Sequence, residues 1–558
     1  RRSSGRLESS TGGSEDDFRT RRAPRRRQYV FSVLVLVFST YNCMYVKELT
    51  QLESIEINLL NQSLQIDSDD DEDEVQRTNR RCRRIILSES NQRHIIPFTE
   101  HPGLSTNLCY SMRNKYPADF FQLMVPDSLF QEIADLTNQF AIKKIAVSEE
   151  SSRFARLRKW APTNLEEIKK FFGLIIFMGI TRLPRLAEYW STNIIIGHPF
   201  PRSVMPRNRF ELLLQMLHFS QNDEANTEDR LHRIRYLLQV LNNQFQMHYT
   251  PGEDLCIDES VVPFRGRIVF RQYNKQKRHK YGIKEFKLCC VPGYTYKISI
   301  YAGKNNEVTN TTPYNVVMDL LGNLLNKGHT LYTDNWYTSI KLARALLDNE
   351  THLVGTIRKN RRNLPKKVVS TKLKKGEFIA RESRDGITAM KWRDKRDVLV
   401  LSTKHSDQFG MIKKRRGTMV MKPQIIIDYN KAKGAVDLSD QMAAYSSPLR
   451  KSVKWYKKLA VDLLLNTAMV NALTLYKSVT KKNLQMVDFR RSIMMNLCKA
   501  QENPVAEPNQ RPKREKHYNV PVMGSKQAKT KSIKVSTYCQ SCPTKPFLCL
   551  PCFNKNHK

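Results

Sequence analysis

Apolar residues recur every three or four positions across residues 117–141. Phe120, Phe121, Leu123, Leu129, Ile133, Leu136 and Phe140 form one stripe, which predicts a helix. Thr163 with Glu166 three positions later predicts a capping box. It opens a second helix over IKKFFGLIIFMGI, which the stretch from Thr181 to Pro184 ends. Residues 205–219 and 231–249 carry the same period, so residues 97–250 read as all-helical. The pattern then shortens. Residues 255–258, 268–273, 287–290 and 296–302 are β-like runs separated by Gly and Pro. A helix at 316–325, a strand at 331–333 and a helix at 339–347 follow, an α/β order expected of a sheet covered by helices. Residues 357–422 are strand-like and basic, with no long helix, and read as an insertion. Residues 424–429 (QIIIDY) predict a return to strand, 434–440 the start of a helix, and 456–476 and 488–498 two more helices.

Composition narrows the class. The chain has 558 residues, enough for several domains. Its 93 Lys and Arg against 54 Asp and Glu give a net charge of +39. A polyanion, above all nucleic acid, is the expected partner. The cations are spread over the whole chain, which argues against a membrane-surface protein. Eleven cysteines do not suggest a disulfide framework at this length, and four gather at the C-terminus with metal-ligand spacing, which suits a reducing compartment. The apolar run 29–46, preceded by RRAPRRR, has the length of a short membrane span. It is read as an N-terminal extension, because nothing downstream looks extracellular. The acidic block 67–74, followed by RTNRRCRR, reads as a solvated tail, with nuclear import the sharper alternative.

Three acids stand out by position. Asp258 ends a short apolar run, with Glu259 beside it and Arg265, Arg267, Arg271, Lys275, Lys277 and Arg278 close behind. Asp334 also lies at a strand end. Asp437 lies at a helix start, and Asp440 one turn later on the same face. Hard divalent ions such as Mg²⁺ take carboxylate oxygens and keep positions open for phosphate. Two such ions serve phosphodiester displacement. Each Asp taken singly is equally a turn former or a helix cap, so spacing alone leaves the trio open.

The segments CIDESVVPFRGR, KYGIK, YTDNWYTS and DYNKAKGAVDLSDQM resemble the piggyBac transposase family, which includes domesticated relatives. PADFFQLM, KKFFGLIIFMGITRLPRLAEYW and RNRFELLLQMLHFSQND resemble its N-terminal helical region, so the likeness covers roughly residues 97–476. The resemblance implies an RNase H-like catalytic core with a three-aspartate site for two Mg²⁺ ions. Asp258, Asp334 and Asp437 match the three, and Asp440 a further acid near the metals. It implies a homodimer in the nucleus that exposes a 3′-hydroxyl at an element end, forms a hairpin and joins the freed ends to TTAA targets in double-stranded DNA. No small-molecule substrate is expected. Two departures stand out: Gly434-Ala435 replaces a glycine pair, and Lys275 and Arg278 stand where the family usually carries prolines.

Cys539-x-x-Cys542 and Cys549-x-x-Cys552, with His557 as an alternative ligand, have structural Zn²⁺ spacing. The family's finger carries a further CxxC between these pairs, whereas six residues separate Cys542 from Cys549 here; His517 matches an upstream family histidine. Arg265, Arg267, Arg271, Lys275, Lys280, Lys284, Arg450, Lys451 and Lys454 are the expected phosphate contacts, and Lys413–Arg416 adds charge. Trp160, Trp190 and Trp455 are assigned to the core. The expected organisation is a disordered region 1–96, a split all-α dimerisation and DNA-binding region (97–250, 447–500), a split core (251–356, 424–446), a β-rich insertion 357–423, a linker 501–535 and a zinc module 536–558. A domesticated DNA-binding protein that no longer cuts is the alternative, and a membrane-tethered nuclease a third reading.

Overall fold

A short helix, α1 (Thr106–Met112), precedes the stripe predicted at 117–141, and that stripe folds as two helices, α2 (Pro117–Met124) and α3 (Asp127–Val147). Pro126 explains the break, because it keeps Val125 out of the helical region, at φ −132° and ψ 82°. The structure is a computed structural model that describes residues 95–147, 157–193, 195–220, 229–275, 277, 279–303, 312–413, 417–452, 454–499, 519–527 and 534–539. All of them belong to one of two compact units, Arg81–Lys558. The apolar run 29–46 and the acidic block 67–74 lie outside the described residues.

Helix α4 (Leu165–Ile180) is capped by Asn164, whose side chain accepts from Glu167 N at 3.0 Å. The predicted box is thus displaced by one residue: the Thr163 hydroxyl donates to the Glu167 carboxylate at 2.7 Å instead. Ile168, Phe171, Phe172, Leu174 and Ile176 bury α4 on nearly every side, as its all-round apolar sequence requires. Helices α5 (Pro199–Val204), α6 (Arg207–Met216) and α7 (His232–Met247) complete this part.

The sheet begins with β1 (Asp254–Pro263), β2 (Gln272–Tyr273), β3 (Tyr281–Cys290) and β4 (Tyr294–Ile300). The strand predicted at 268–273 shrinks to its last two residues. Helix α8 (Pro313–Leu321), β5 (Thr330–Thr333), α9 (Ile340–Leu347) and β6 (His352–Thr356) follow. Next come α10 (Lys366–Ser370), β7 (Phe378–Glu382), β8 (Thr388–Arg393) and β9 (Asp397–Ser402). Nine strands pair in the order β2-β3-β1-β5-β6-β9-β8-β7, with β4 on β3. β5 is parallel to both β1 and β6; β1–β3 and β6–β9 are antiparallel. The basic segment after residue 357 thus extends this sheet through β9 and adds a separate hairpin, β10 (Phe409–Lys413) with β11 (Met419–Pro423).

Residues predicted as strand at 424–429 are instead helix α11 (Gln424–Ala432). Ile425, Tyr429 and Ala432 fall at i, i+4 and i+7 and bury one helical face against Tyr332, Val354 and Met390. Tertiary packing overrides the β preference of the isoleucine run. Helix α12 (Ala435–Ala444) follows, then α13 (Trp455–Thr480), which contains a π-turn at Leu463–Thr467. α13 is long and apolar enough to cross a membrane, but it is packed inside the helical core. Helix α14 (Met486–Cys498) lies against α4 at Gly173, where an added Cβ would meet Cys498 Sγ at 2.4 Å. A last pair, β12 (Asn519–Gln527) and β13 (Lys534–Cys539), is antiparallel.

Alternation on β5 shows how the sheet is covered. Leu331 joins the cluster of Leu255, Val317, Leu342 and Leu353 under α8 and α9, while Tyr332 joins the cluster under α11 on the other face. The result is a mixed α/β fold with helices on both faces of the sheet and a helical region beside it.

Candidate active site

Strand β1 spends its apolar residues Leu255 and Ile257 on the core and reaches Asp258 where that core ends. Ile257 pairs with Thr333 in the parallel β1–β5 ladder, so the next residue on each strand, Asp258 and Asp334, leaves the same edge of the sheet. β5 ends at Thr333, but β1 runs on past Asp258 to Pro263, so Asp258 is not at a strand end as the sequence suggests. It lies where the two parallel strands part, beyond the carboxyl end of β5, where such sheets usually hold ligands. Turn chemistry fixes Asp334: its Oδ1 accepts from Trp336 N at 2.8 Å, and its carbonyl accepts from the Thr338 hydroxyl at 2.7 Å. Gly355 opposite Thr333 makes room for this turn, since a Cβ there would stand 2.3 Å from Thr338 Oγ1 and 2.6 Å from Thr333 O.

Among the described residues, Asp258, Glu259 and Asp334 offer carboxylate oxygens that all lie within 4.8 Å of one another. Asp258 Oδ1 accepts from Glu259 N at 2.8 Å, and Glu259 Oε2 is buried and accepts no hydrogen bond among the described residues, with the Lys284 ammonium 3.8 Å away. Burial pushes the Asp258 carboxyl up to about 7; Lys277 opposes the rise, and Glu259 and Asp437 add to it. A cluster of hard oxygen donors with a buried carboxylate oxygen that accepts no hydrogen bond fits a divalent cation such as Mg²⁺.

The other two acids arrive on α12. Cys256 donates through Sγ to Lys433 O at 3.2 Å and packs with Cys289 against Ala435 and Val436, which seats the start of α12 on β1. Asp437, 61 % exposed, then faces the cluster across Lys277: the Lys277 Nζ stands 3.9 Å from Asp258 Oδ2 and 3.7 Å from Asp437 Oδ1. Asp440 lies deeper and takes a 2.9 Å hydrogen bond from the Lys287 ammonium, which is also 3.5 Å from Glu285 Oε2. Burial opposes charge on Lys287, and Asp440, Glu285 and Asp462 together outweigh it, so its pKa is raised.

A sequence model of the family described as Transposase IS4 matches residues 116–473, a span that contains all four acids. A solved structure of a piggyBac transposase synaptic complex with hairpin DNA aligns at TM-score 0.60 and 25 % identity, covering 81 % of this chain and 98 % of that one. The chain belongs to the piggyBac transposase family. Human piggyBac transposable element-derived protein 3 is 26 % identical over 415 residues, 71 % of this chain and 67 % of that protein. Human piggyBac transposable element-derived protein 2 is 25 % identical over 407 residues, 68 % of this chain and 64 % of that protein. The chain thus spans about two thirds of the length of these two human piggyBac relatives.

The cations chosen from the sequence divide into two groups. Arg265, Arg267, Arg271, Lys275, Lys280, Lys451 and Lys454 are exposed. Arg271 also braces its own loop, donating to Arg265 O and Gly266 O at 3.1 Å each. Lys284 is withdrawn: its ammonium lies 4.7 Å from the centres of the Phe286 and Trp336 rings. Arg450 is a brace, donating to Tyr189 Oη at 2.8 Å and to Leu183 O at 2.9 Å. Arg278 and residues 414–416 lie outside the described residues, as do His517, Cys542, Cys549, Cys552 and His557; Cys539 ends β13. Trp160, Trp190 and Trp455 pack against the helical core, in line with their assignment.

Sequence reasoning missed Glu259 as a member of the cluster, Lys277 as the link to Asp437, and Lys287. It also missed Arg358 and Arg361, which hold the turn after Asp334: Arg358 Nε donates to Asn335 Oδ1 at 2.8 Å, and Arg361 to Asn335 O at 3.2 Å. The run IRKNRRN directly after β6 was the available signal.

Proposed function

We propose that this chain is a piggyBac-type DNA transposase whose acid cluster sits on an RNase H-like core. The observation that carries the reading is the meeting of Asp258, Glu259 and Asp334 where the parallel β1–β5 pairing ends, with Asp437 brought alongside on α12. The piggyBac synaptic complex with hairpin DNA supports double-stranded DNA as the partner. The net charge of +39 supports it independently.

In this reading Asp258, Asp334 and Asp437 hold two Mg²⁺ ions, and Asp440 tunes them through Lys287. Bound there, the ions lower the pKa of the attacking hydroxyl and stabilise the leaving 3′-oxygen of a phosphodiester displacement. The protein's own part is positioning. The turn at 334–338 locks the Asp334 carboxylate, and the Lys287–Asp440 bond holds α12 to the sheet. Exposed Arg265, Arg267, Lys275 and Lys280 grip phosphates beside the cluster. Water would cut one strand and release a 3′-hydroxyl. That hydroxyl would attack the opposite strand, displacing the 3′-oxygen of the flanking DNA and closing a hairpin. Water would reopen the hairpin, and the regenerated 3′-hydroxyl would attack a TTAA target, displacing a target 3′-oxygen. A homodimer in the nucleus, a core split around an insertion at 357–423, and a structural Zn²⁺ on Cys539, Cys542, Cys549 and Cys552, with His557 as alternative ligand, belong to the same reading.

The human relatives' names, which call them transposable element-derived, favour a second reading: a sequence-specific DNA-binding protein without excision activity. Incubating the purified chain with Mg²⁺, a target plasmid and pre-cut ends from the DNA flanking its gene separates the two. Joined products at TTAA are expected of the transposase. Tight binding without joining favours the second reading, and neither binding nor joining contradicts both.

A further inference from the structure

Lys277 lies in the turn between β2 and β3, closed by a 2.8 Å hydrogen bond from Asn274 N to Lys280 O. Arg265, Arg267, Arg271, Lys275 and Lys280 around it are exposed. Lys277 turns inward, with 25 % of its side chain exposed. Its ammonium stands between Asp258 and Asp437 at 3.9 and 3.7 Å, too far for hydrogen bonds and close enough for strong attraction to both. Burial disfavours the charge, and Asp258, then Asp437, outweigh that effect. A lysine held by field rather than by hydrogen bonds is free to leave when the field is cancelled. Its departure also leaves β2 and β3 paired, because the ladder contacts are Gln272 with Gly282 and Tyr273 with Tyr281.

We propose that the Lys277 ammonium is a tethered counter-cation of the acid cluster: it screens Asp258 from Asp437 when no divalent ion is bound, and an incoming ion displaces it. The inference rests on reading the cluster as a divalent-cation site. Lys277 is then a positioning residue and an internal competitor of the ion. It keeps the third acid close to the first in the metal-free chain, at a cost in metal affinity.

Mn²⁺ binding to the full chain, read from the free-ion signal in electron paramagnetic resonance, tests this in five proteins: wild type, Lys277→Met, Lys277→Arg, Asp258→Asn and Lys277→Met/Asp258→Asn. Lys277→Met is expected to bind about 10-fold more tightly than wild type, because a nearby positive charge is gone. Lys277→Arg, which keeps the charge, is expected to bind like wild type. The gain must vanish in the double variant. Lys277→Gln replaces Lys277→Met if the latter fails to fold. Unchanged or weaker binding by the neutral variant, beside wild-type binding that needs Asp258, overturns the inference alone. Absence of any Asp258-dependent binding overturns the metal-site reading with it.

Discussion

The Lys287 ammonium, 2 % exposed, donates a 2.9 Å hydrogen bond to Asp440 Oδ1 and so ties the middle of β3 to the helix that carries the third acid. Removing one member of a buried charge pair leaves the other uncompensated. Lys287→Met is therefore expected to lower stability by about 3–5 kcal/mol in urea unfolding. A loss below about 1 kcal/mol would contradict this role for the pair.

The same network predicts a pH effect. Burial raises the Glu285 carboxyl to about 8, with Lys287 opposing, and burial raises Asp462 in the same direction. A folded-state pKa above the unfolded value means that the folded chain holds the extra proton between the two. Stability then falls as pH rises from about 4.5 to about 8. Lys287 adds no slope in this window, being charged in both states. Glu285→Gln should flatten the decline by roughly 1–3 kcal/mol between these limits. Urea midpoints measured across that range check it, and an unchanged slope would count against it.

Gly355 leaves no room for a methyl group beside the Asp334 turn. Its neighbours are backbone at Thr333 and a hydrogen-bonded hydroxyl at Thr338. Gly355→Ala is expected to cost about 1–3 kcal/mol in thermal unfolding and to weaken Mn²⁺ binding by moving Asp334. Wild-type values for both would show that the turn tolerates the change.

The outline of this site was legible because Asp258, Asp334 and Asp437 each follow a recognisable apolar run; that β1 continues through Asp258 to Pro263 was not, since Glu259 and Ser260 interrupt the run. What brings them together was not, since the Ile257–Thr333 pairing and the Cys256–Lys433 contact join segments far apart in the chain. The run QIIIDY misled because three consecutive isoleucines favour strand, while the helical spacing of Ile425, Tyr429 and Ala432 emerges only over a longer window. The sequence likewise offers no local mark that turns Arg450 inward to Tyr189 and leaves Lys451 and Lys454 exposed.

That last contrast separates two effects. Arg450→Ala is expected to lower thermal stability through the lost contacts with Tyr189 and Leu183. Lys451→Ala and Lys454→Ala should leave stability within about 0.5 kcal/mol. If these lysines touch phosphates, each reduces the slope of log affinity against log salt by about 0.9 on duplex DNA. Equal effects of all three on the salt slope would refute the division.

The most direct test of the account compares wild type with Asp334→Asn on DNA that flanks this gene, measuring Mg²⁺-dependent strand cleavage and binding on the same fragment. Loss of cleavage by a factor on the order of 10³ or more, with DNA affinity nearly unchanged, is the predicted result. Cleavage by Asp334→Asn at the wild-type rate would contradict the assignment of the acid cluster as the cutting site.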